Sequence, residues 1–294
     1  MKVSVIIINY NTFSLTADCI RSVMGHTKEV DYEILLVDNA STESDPGRFQ
    51  ELFPAITLVR SPRNGGFADG NNQGIAAASG DIILLLNSDT VLKEDSISLS
   101  ARFLQDHPDT AVVSCQMTYP DGRIQYTARR FRSISWELLD LFRFIPMMMP
   151  YPKRAARMLG KYFRHDEDME CDWLNGAFFM FQKSLLGELP GRKLDDRFFM
   201  YGEDQLWCEQ FKNLGYKNRF FAGTSLVHIN SGSSSISRQL QLRKTMMKHE
   251  GAIMAARKGK GLYYYCFMLI YTGKERARNF VKWIWFKLSG KLIK

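Results

Sequence analysis

The chain has 294 residues, 45% of them hydrophobic and 24% charged, which is typical of a globular protein with one large domain, or a domain and an appendage. Its five cysteines have no C-x-x-C spacing, which argues against a disulfide framework or a zinc site and favours a reducing compartment. Residues 238–294 carry 14 Lys/Arg and 2 Asp/Glu, a net charge of +12, whereas the remainder carries −4. A basic tail of this kind indicates contact with nucleic acid or with an anionic membrane surface.

The chain begins with a strand-like run at residues 3–8 and shows no signal-peptide pattern. Apolar runs predict five strands, at residues 2–8, 33–37, 56–60, 82–86 and 111–115. Between them, the sequence predicts a helix capped by Thr12 or Ser14 and ending near Met24, and further helices at residues 46–52, 74–78 and 94–105. Strands that alternate with helices predict a parallel α/β sheet.

Three of these strands end in polar clusters, at residues 9–11, 38–41 and 87–89. Ligands of open α/β sheets bind at the carboxyl ends of the strands. Asp89 lies at such an end, where a hard cation carrying a diphosphate would find a carboxylate ligand; the alternative is an ordinary polar turn. The chain lacks G-x-G-x-x-G after the first strand and G-K-[ST] after the glycines at 65–66, so we expect neither a dinucleotide site nor a P-loop.

Residues 134–164 differ from the first half of the chain. They are rich in Leu, Phe and Met, broken by three prolines, and end in a basic stretch. They form either a helical insert packed on the sheet or a mobile apolar flap beside the site. The pattern then predicts strands at 177–181, 218–221 and 225–228, a helix from 203 to 214, and helices with a tail beyond 236.

Together these segments resemble the inverting family 2 glycosyltransferases, which have the GT-A nucleotide-sugar-binding fold, and most of all the branch that contains bacterial rhamnosyltransferases and related polysaccharide-assembly enzymes. The motifs that carry the resemblance are residues 7–11, 37–41, 64–72, 86–89, 172–176, 199–204 and His228. It implies an α/β catalytic domain at 1–235, with a mixed, mostly parallel sheet flanked by helices. A helical insert at 134–164 would lie near the acceptor side, and a basic amphipathic helical tail would span 236–294.

The resemblance also assigns a set of donor-binding residues, namely Asn9, Tyr10, Asn11, Asp38, Asn64, Asp69 and Asn87. Asp38 would accept a hydrogen bond from the ring N–H of uracil or thymine; the alternative is a cap for the helix at 46–52. Asp69 and Asn64 would lie near the base and ribose, where Gly65 and Gly66 allow close backbone approach. A capped helix start explains the same residues structurally.

For the metal, the resemblance points to Asp89 and His228. Asp89 corresponds to the second acid of the family's D-x-D motif, whose first position is Asn87 in this chain, so the site has one carboxylate fewer. His228, followed by the polar residues 230–233, resembles the family's late histidine, a ligand of the metal or the diphosphate; the alternative is a buried structural histidine. The expected cofactor is Mn²⁺ or Mg²⁺, and an imidazole ligand suits Mn²⁺ better.

Asp204 is the predicted general base, because an acceptor hydroxyl needs a positioned carboxylate to remove its proton. Its place at a helix start predicts that the helix dipole keeps it ionised. Alternatively, Glu203 and Asp204 only stabilise the start of that helix. The resemblance adds Trp173, Asn175, Gly176 and Glu203 as the acceptor- and sugar-facing wall.

The tail contains an apolar run at 262–271 that is shorter than the ~20 residues of a membrane-spanning helix. Aromatic and aliphatic residues at 280, 283, 284 and 288 share helical spacing with lysines nearby, which predicts an interfacial segment on an anionic membrane, at the inner face of the cytoplasmic membrane. The alternatives are a helical cap on the domain and a homodimer through the C-terminal helices. Without a recognition module, we expect no nucleic acid.

The implied function is an inverting transfer of a sugar from a nucleoside-diphosphate donor, dTDP-rhamnose first and a UDP-sugar next, to a glycan or lipid-linked glycan in cell-surface polysaccharide synthesis. One alternative is a sugar-phosphate nucleotidylyltransferase, which would need a glycine-rich loop where this chain has Asn9-Tyr10-Asn11. The other is a non-catalytic nucleotide-sugar or membrane-binding module, which Asn87 leaves open.

Overall fold

The computed structural model describes residues 1–229 and 236–289, so the predicted polar loop at 230–233 and the last five residues lie outside the described part. The chain divides into two compact units. The first, the sheet unit, comprises Met1–Arg130 and Leu159–Ser234, and the second, the helical unit, comprises Phe131–Met158 and Ser235–Lys294.

The strands belong to the sheet unit. They are β1 (Lys2–Asn9), β2 (Asp31–Asp38), β3 (Thr57–Arg60), β4 (Ile82–Asn87), β5 (Thr90–Leu92), β6 (Thr110–Thr118), β7 (Ile124–Gln125), β8 (Ala128–Arg129), β9 (Met169–Cys171), β10 (Trp173–Leu174), β11 (Phe178–Gln182) and β12 (Lys217–His228).

Within the described residues, one large sheet has the order β3-β2-β1-β4-β11-β6-β12-β5, with β7 on β6 and β9 on β12, and β8 pairs with β10 separately. The first four strands are mutually parallel, as are β6 and β12, whereas β11 runs antiparallel to both of its neighbours. The predicted mixed, mostly parallel sheet is therefore confirmed. Its parallel half brings the carboxyl ends of β1, β2 and β4 to one edge.

The ten α-helices of the described residues flank this sheet or build the helical unit. They are α1 (Phe13–His26), α2 (Gly47–Leu52), α3 (Gly66–Ala77), α4 (Ser96–Asp106), α5 (Ile134–Leu141), α6 (Phe144–Met148), α7 (Tyr151–Met158), α8 (Glu203–Asn213), α9 (Ile236–Lys258) and α10 (Leu262–Ser289).

Burial explains why the central strands were predictable. Residues 82–86 of β4 are all buried, which is the pattern of a strand covered on both faces. Three details differ from the sequence analysis. Helix α3 begins at Gly66 rather than at residue 74. The short strands β5, β8, β9 and β10 were not predicted. The two expected late strands form the single strand β12, with an irregularity between Phe221 and Ser225.

The helical unit has a buried ionic core. Lys274 of α10 is buried and donates to Asp140 Oδ2 over 2.8 Å, and it also pairs with the fully buried Glu137 of α5. Arg132 contributes a second pair to Glu137, at 2.7 Å. The insert and the tail were predicted as separate segments, but these contacts pack residues 131–158 against the C-terminal helices. In the described chain, no helix is both long and apolar enough to cross a membrane.

Candidate active site

The register of the parallel strands assembles the polar edge. Asn9 at the end of β1 lies opposite Asp38 at the end of β2, and Ile8 lies opposite Asn87 at the end of β4. The three polar strand ends predicted from the sequence are thus neighbours. Ser88, which follows β4, also contacts this polar edge, because its Oγ lies 3.4 Å from Thr12 Oγ1.

Asn9 and Asp38 form the buried base of this edge. Asn9 Nδ2 donates to Asp38 Oδ2 over 2.7 Å, and the backbone N–H of Ser41 donates to Asp38 Oδ1 over 3.0 Å. Helix α2 begins at Gly47, and its N-cap residue is Pro46, with no hydrogen bond from a capping side chain, so the alternative in which Asp38 caps it is wrong. Asp38 is instead a buried carboxylate held in place from two sides.

Tyr10 and Asn11 lead away from the strand end. The Tyr10 side chain is exposed, and Asn11 adopts a left-handed backbone with φ of 54°. Its Oδ1 accepts from the backbone N–H groups of Thr42 and Glu43, at 2.8 and 3.1 Å. Asn11 therefore ties the loop after β1 to the loop after β2.

Asn39, which the sequence analysis did not single out, organises the glycine loop before α3. Its Nδ2 donates to Asn64 Oδ1 and to the Gly66 carbonyl, both over 3.0 Å. One turn further, Asp69 Oδ2 accepts from Gln73 Nε2 over 2.9 Å. The structure thus places Asn64 and Asp69 on one loop and helix start, and Asn39 links this loop to the end of β2.

Gly66 joins this loop to the segment before α8. Its φ is +89°, and a Cβ built on it would lie 2.1 Å from the Phe199 carbonyl oxygen. That oxygen accepts from the backbone N–H of Phe67 over 2.9 Å. Only glycine allows the two backbones to approach this closely.

Asp89 and His228 are brought together because β5 and β12 pair, with His228 opposite Thr90. His228 Nε2 lies 3.2 Å from Asp89 Oδ1 and 3.4 Å from Asn87 Nδ2. Its Nδ1 lies 2.8 Å from Oε1 of the buried Gln125. The sequence predicted the Asp89–His228 pair as ligands of one ion but gave no signal for Gln125, which lies 103 residues from His228.

The donor chemistry of Asp89 and His228 fits a divalent cation, since carboxylate and imidazole are both ligands of Mn²⁺. The described residues contain no group of three or more His, Cys, Asp or Glu side chains that could hold a metal ion. A cation at this pair would therefore need further oxygen ligands, and a nucleotide diphosphate with water supplies such oxygens.

Asp204 lies in the first turn of α8 and contacts Gly176, two residues before β11 begins. Its Oδ1 accepts from the Gln205 N–H over 2.8 Å, and its Oδ2 accepts from the Gly176 N–H over 3.3 Å. The next residue, Ala177, accepts at its carbonyl from the Asn87 N–H over 3.0 Å. This chain of contacts connects the predicted base to the end of β4, which leads directly to Asp89.

The pKa of Asp204 does not follow the prediction from the helix dipole. Burial of its carboxyl raises the pKa above the ordinary aspartate value, and the Gln205 and Gly176 N–H groups offset only part of that rise. Burial also raises the pKa of Glu203, and the neighbouring Asp204 charge raises it further. Desolvation dominates because a buried carboxylate loses water that a few donors do not replace.

The residues predicted to form the acceptor-facing wall differ in their exposure and in their contacts. Trp173 is partly exposed, donates from Nε1 to the Arg130 carbonyl over 3.2 Å, and lies under the Arg129 guanidinium, 5.4 Å from the ring centroid. Asn175 instead braces its own turn, because its Oδ1 accepts from the Ala177 N–H over 2.9 Å. Glu203 is buried, so it supports the start of α8 rather than presenting an open surface.

Solved structures share this fold. A mannosyltransferase from Pyrobaculum calidifontis, PcManGT, in complex with GDP-Man and Mn²⁺, is 18% identical with a TM-score of 0.59, over 91% of this chain and 69% of that chain. S. aureus TarS 1–349 in complex with UDP-GlcNAc is 17% identical with a TM-score of 0.55, over 99% and 77%. These likenesses support the predicted GT-A fold.

Sequence comparison gives the family. The N-acetylglucosaminyl-diphospho-decaprenol L-rhamnosyltransferase of Mycobacterium tuberculosis is 21% identical over 68% of this chain and 67% of that protein. Against two other curated relatives, the aligned region spans only 14% and 40% of their lengths. The sequence model of the family described as Glycosyl transferase family 2 matches residues 4–188, more than half of the chain. The chain therefore belongs to glycosyl transferase family 2.

Proposed function

We propose that the protein is an inverting glycosyltransferase that moves one sugar from a nucleoside-diphosphate donor to a hydroxyl of a glycan. One observation carries the proposal. The edge of the sheet connects a desolvated carboxylate, Asp204, through Gly176 and Ala177 to the strand end that leads to Asp89 and His228. A general base and a diphosphate-binding pair are the two functions that a single displacement requires.

Asp204 acts as the base in this proposal. Its carboxylate takes the proton of the acceptor hydroxyl as that oxygen attacks the anomeric carbon, and the diphosphate leaves from the opposite face. The Gly176 and Gln205 N–H groups orient the carboxylate. Its raised pKa makes it a stronger base than an ordinary aspartate, while leaving it ionised near neutral pH.

Asp89 and His228 would hold a divalent cation together with the donor diphosphate. Such a cation supplies charge neutralisation for the leaving diphosphate. Asn87 contributes an amide beside His228, at 3.4 Å, where the D-x-D motif of the family would have a second carboxylate. The buried Asp38 and the loop with Asn64 and Asp69 complete the proposed nucleotide side.

We propose dTDP-rhamnose as the first donor to test and a UDP-sugar as the next. The mycobacterial relative named as an L-rhamnosyltransferase supports the first choice, and TarS with its bound UDP-GlcNAc supports the second. The same relative is named for a diphospho-decaprenol acceptor, which supports a lipid-linked glycan as the acceptor. Action at the inner face of the cytoplasmic membrane is part of this proposal.

The experiment incubates the purified chain with dTDP-rhamnose, UDP-glucose, UDP-GlcNAc or GDP-mannose, each with Mn²⁺ and a panel of glycan acceptors, and measures release of nucleoside diphosphate. We expect acceptor-dependent release with one donor and its loss in Asp89→Ala. The matched control is Asp81→Ala, because Asp81 lies just before β4, at the end of the strand opposite Asp89. Its side chain accepts a hydrogen bond from the backbone N–H of Lys2, at the start of β1. Equal turnover in the Asp89 variant and the wild type would contradict the assigned role. Tight donor binding without turnover on any acceptor would favour the non-catalytic module.

A further inference from the structure

Gln125 is a buried amide whose side chain bridges the backbone and the ring of His228. Its Nε2 donates to the His228 carbonyl oxygen over 2.6 Å, and its Oε1 lies 2.8 Å from His228 Nδ1. It occupies the two-residue strand β7, which pairs with β6, and β6 pairs in turn with β12, the strand that ends at His228. Both ends of one amide thus contact the same histidine.

The orientation of this amide follows from its backbone partner. A carbonyl oxygen only accepts, so the –NH₂ end of Gln125 must face the His228 carbonyl, with the Thr118 carbonyl as a weaker second acceptor at 3.4 Å. The Oε1 end must then face the ring. Because Oε1 only accepts, His228 Nδ1 must carry a hydrogen. The backbone therefore determines the tautomer of the imidazole.

With the hydrogen on Nδ1, Nε2 of the neutral ring carries the lone pair, and this lone pair faces the polar edge. Asn87 Nδ2, a donor, lies 3.4 Å from it, which agrees with an acceptor nitrogen at this position. Asp89 Oδ1 lies 3.2 Å away. Two electron-pair donors at this distance repel each other unless a cation or a second ring proton lies between them, so the arrangement suits a shared cation.

We propose that Gln125 is the positioning residue of the cation site: it holds His228 as the Nδ1–H tautomer and directs Nε2, together with Asp89, at a divalent cation. The inference rests on the proposed function only for the role of that cation in transfer. The tautomer and the binding of Mn²⁺ alone are separate properties of the chain. Hydrogen-bond partners of metal-binding histidines commonly act in this way.

The test compares Gln125→Met with Gln116→Met in the full chain. Methionine keeps the length of the side chain and removes both hydrogen bonds to His228. Gln116 is the matched control, because it also lies in the sheet unit and donates to the backbone carbonyl of a histidine, His165, over 3.0 Å, without contacting His228. Thermal unfolding of both variants checks that each is folded.

The first measurement is the affinity for Mn²⁺ in the absence of the sugar donor, determined by electron paramagnetic resonance. We expect Gln125→Met to weaken binding by about tenfold or more, the usual effect of removing such a partner, and Gln116→Met to bind as the wild type does. Equal affinity in all three proteins would overturn the proposal, as would an equal loss in both variants.

The second measurement needs no metal. Nitrogen-15 spectra of histidine-labelled protein, with the His228 signals assigned by their loss in His228→Gln, report which ring nitrogen carries the hydrogen. We expect Nδ1–H in the wild type and a mixture of tautomers in Gln125→Met. An Nε2–H tautomer in the wild type would overturn the proposal whatever the metal does. Correct tautomers and Mn²⁺ binding in a protein that transfers no sugar would instead refute the proposed function alone.

Discussion

Glu203 and Asp204 are adjacent carboxyls with different environments. Backbone N–H groups of Glu203 and Tyr201 bond the buried Glu203 carboxyl, but no donor among the described residues reaches its Oε2. In Asp204, each of the two oxygens accepts from a backbone N–H group. Burial raises the pKa of both groups, but the Asp204 charge raises that of Glu203 further. Asp204 is therefore the member of the pair that ionises first. Environments that separate two neighbouring carboxyls in this way assign the acid and base roles.

Asp204→Asn tests this assignment. The change keeps the shape of the side chain and removes its basicity, so we expect turnover to fall by about 10²-fold or more while donor affinity is retained. A carboxyl whose pKa is raised on folding costs stability as the pH rises above its unfolded value of about 3.9. Removing the charge removes this cost, whereas the –NH₂ group of Asn loses the hydrogen bond from either Gln205 or Gly176. We therefore expect a folded variant with a melting temperature at pH 7 close to that of the wild type, so that unfolding does not explain the loss.

The pH profile of the wild type supplies the control for that variant. Turnover requires the ionised form of Asp204, and its raised pKa predicts an acidic limb at higher pH than an ordinary aspartate would give. The remaining activity of Asp204→Asn should lack this limb. A variant that loses donor binding but turns over bound donor normally would make Asp204 a binding residue and not the base.

At this scale the sequence predicts residue types at strand ends but not their distant partners. Asp89 was predicted because it follows a strand, and His228 was predicted from the family resemblance and from the polar residues that follow it. Gln125 and Asn39 were not predicted, since nothing in the local sequence marks an amide whose partner is brought in by strand pairing.

The local sequence also does not distinguish His228 from the buried histidine His165. The Nδ1 of His165 bonds the Phe163 carbonyl, and its Nε2 accepts from the Ala128 N–H. Burial lowers the pKa of His165 to about 4. The backbone thus satisfies both ring nitrogens of His165, whereas Nε2 of His228 faces Asp89.

Among the elements, the parallel half of the sheet was predictable because every residue at 82–86 is apolar and buried. Strand β5 has only three residues, Thr90–Leu92, and follows a polar cluster that reads as a turn. Its existence depends on pairing with β12, and that pairing places Asp89 beside His228. A short strand of this kind is set by long-range contacts, which periodicity does not detect.

Gly66→Ala tests the close approach between the start of α3 and the loop before α8. The new Cβ would meet the Phe199 carbonyl, and the left-handed backbone at φ +89° disfavours alanine. We expect a loss of about 1–3 kcal/mol in the free energy of unfolding, measured by chemical denaturation, together with reduced turnover as the loop is displaced.

The matched control is Gly25→Ala, which lies in α1 with no atom within 4 Å of the added Cβ. Alanine favours the helix there, so the free energy of unfolding should stay equal or rise by up to about 1 kcal/mol. If both alanine variants are as stable as the wild type, the approach of Gly66 to Phe199 is not a constraint on the fold.

At the scale of the whole molecule, the two units differ in net charge and in the segments of the chain that form them. The basic character lies in residues 238–294, and the sheet unit is mildly acidic by comparison. Composition predicted this asymmetry. It did not predict that residues 131–158 join the C-terminal helices, because the contacts that join them are the buried pairs of Lys274 with Glu137 and Asp140, more than 130 residues apart. Removing α10 would leave those carboxylates buried without Lys274, so truncation would disturb the fold of the helical unit.

Substitution at exposed aromatics therefore tests the proposed membrane surface better than truncation does. Phe280 and Trp283 of α10 are 60% and 55% exposed, and their rings stack with centroids 6.1 Å apart. Each Lys or Arg near an anionic leaflet contributes about 1 kcal/mol, and buried aromatic area adds to it. We expect the full chain to sediment with phosphatidylserine-containing liposomes, and a Phe280→Ser, Trp283→Ser double variant to bind about tenfold or more weakly.

The control for this prediction is Leu52→Ser, which removes a comparably exposed apolar side chain, at 50%, from α2 in the sheet unit. It should bind liposomes as the wild type does.

Salt separates the electrostatic contribution of the Lys and Arg residues from the contribution of the buried aromatic area. Raising the ionic strength from 0.1 M to 1 M shortens the Debye length from about 10 Å to about 3 Å and should weaken liposome binding by the wild type. Transfer to a short water-soluble acceptor should persist in the double variant, because the proposed catalytic residues all lie in the sheet unit. Equal binding by all three proteins, or no binding by the wild type, would refute the membrane surface and leave these aromatics to a contact between protein chains.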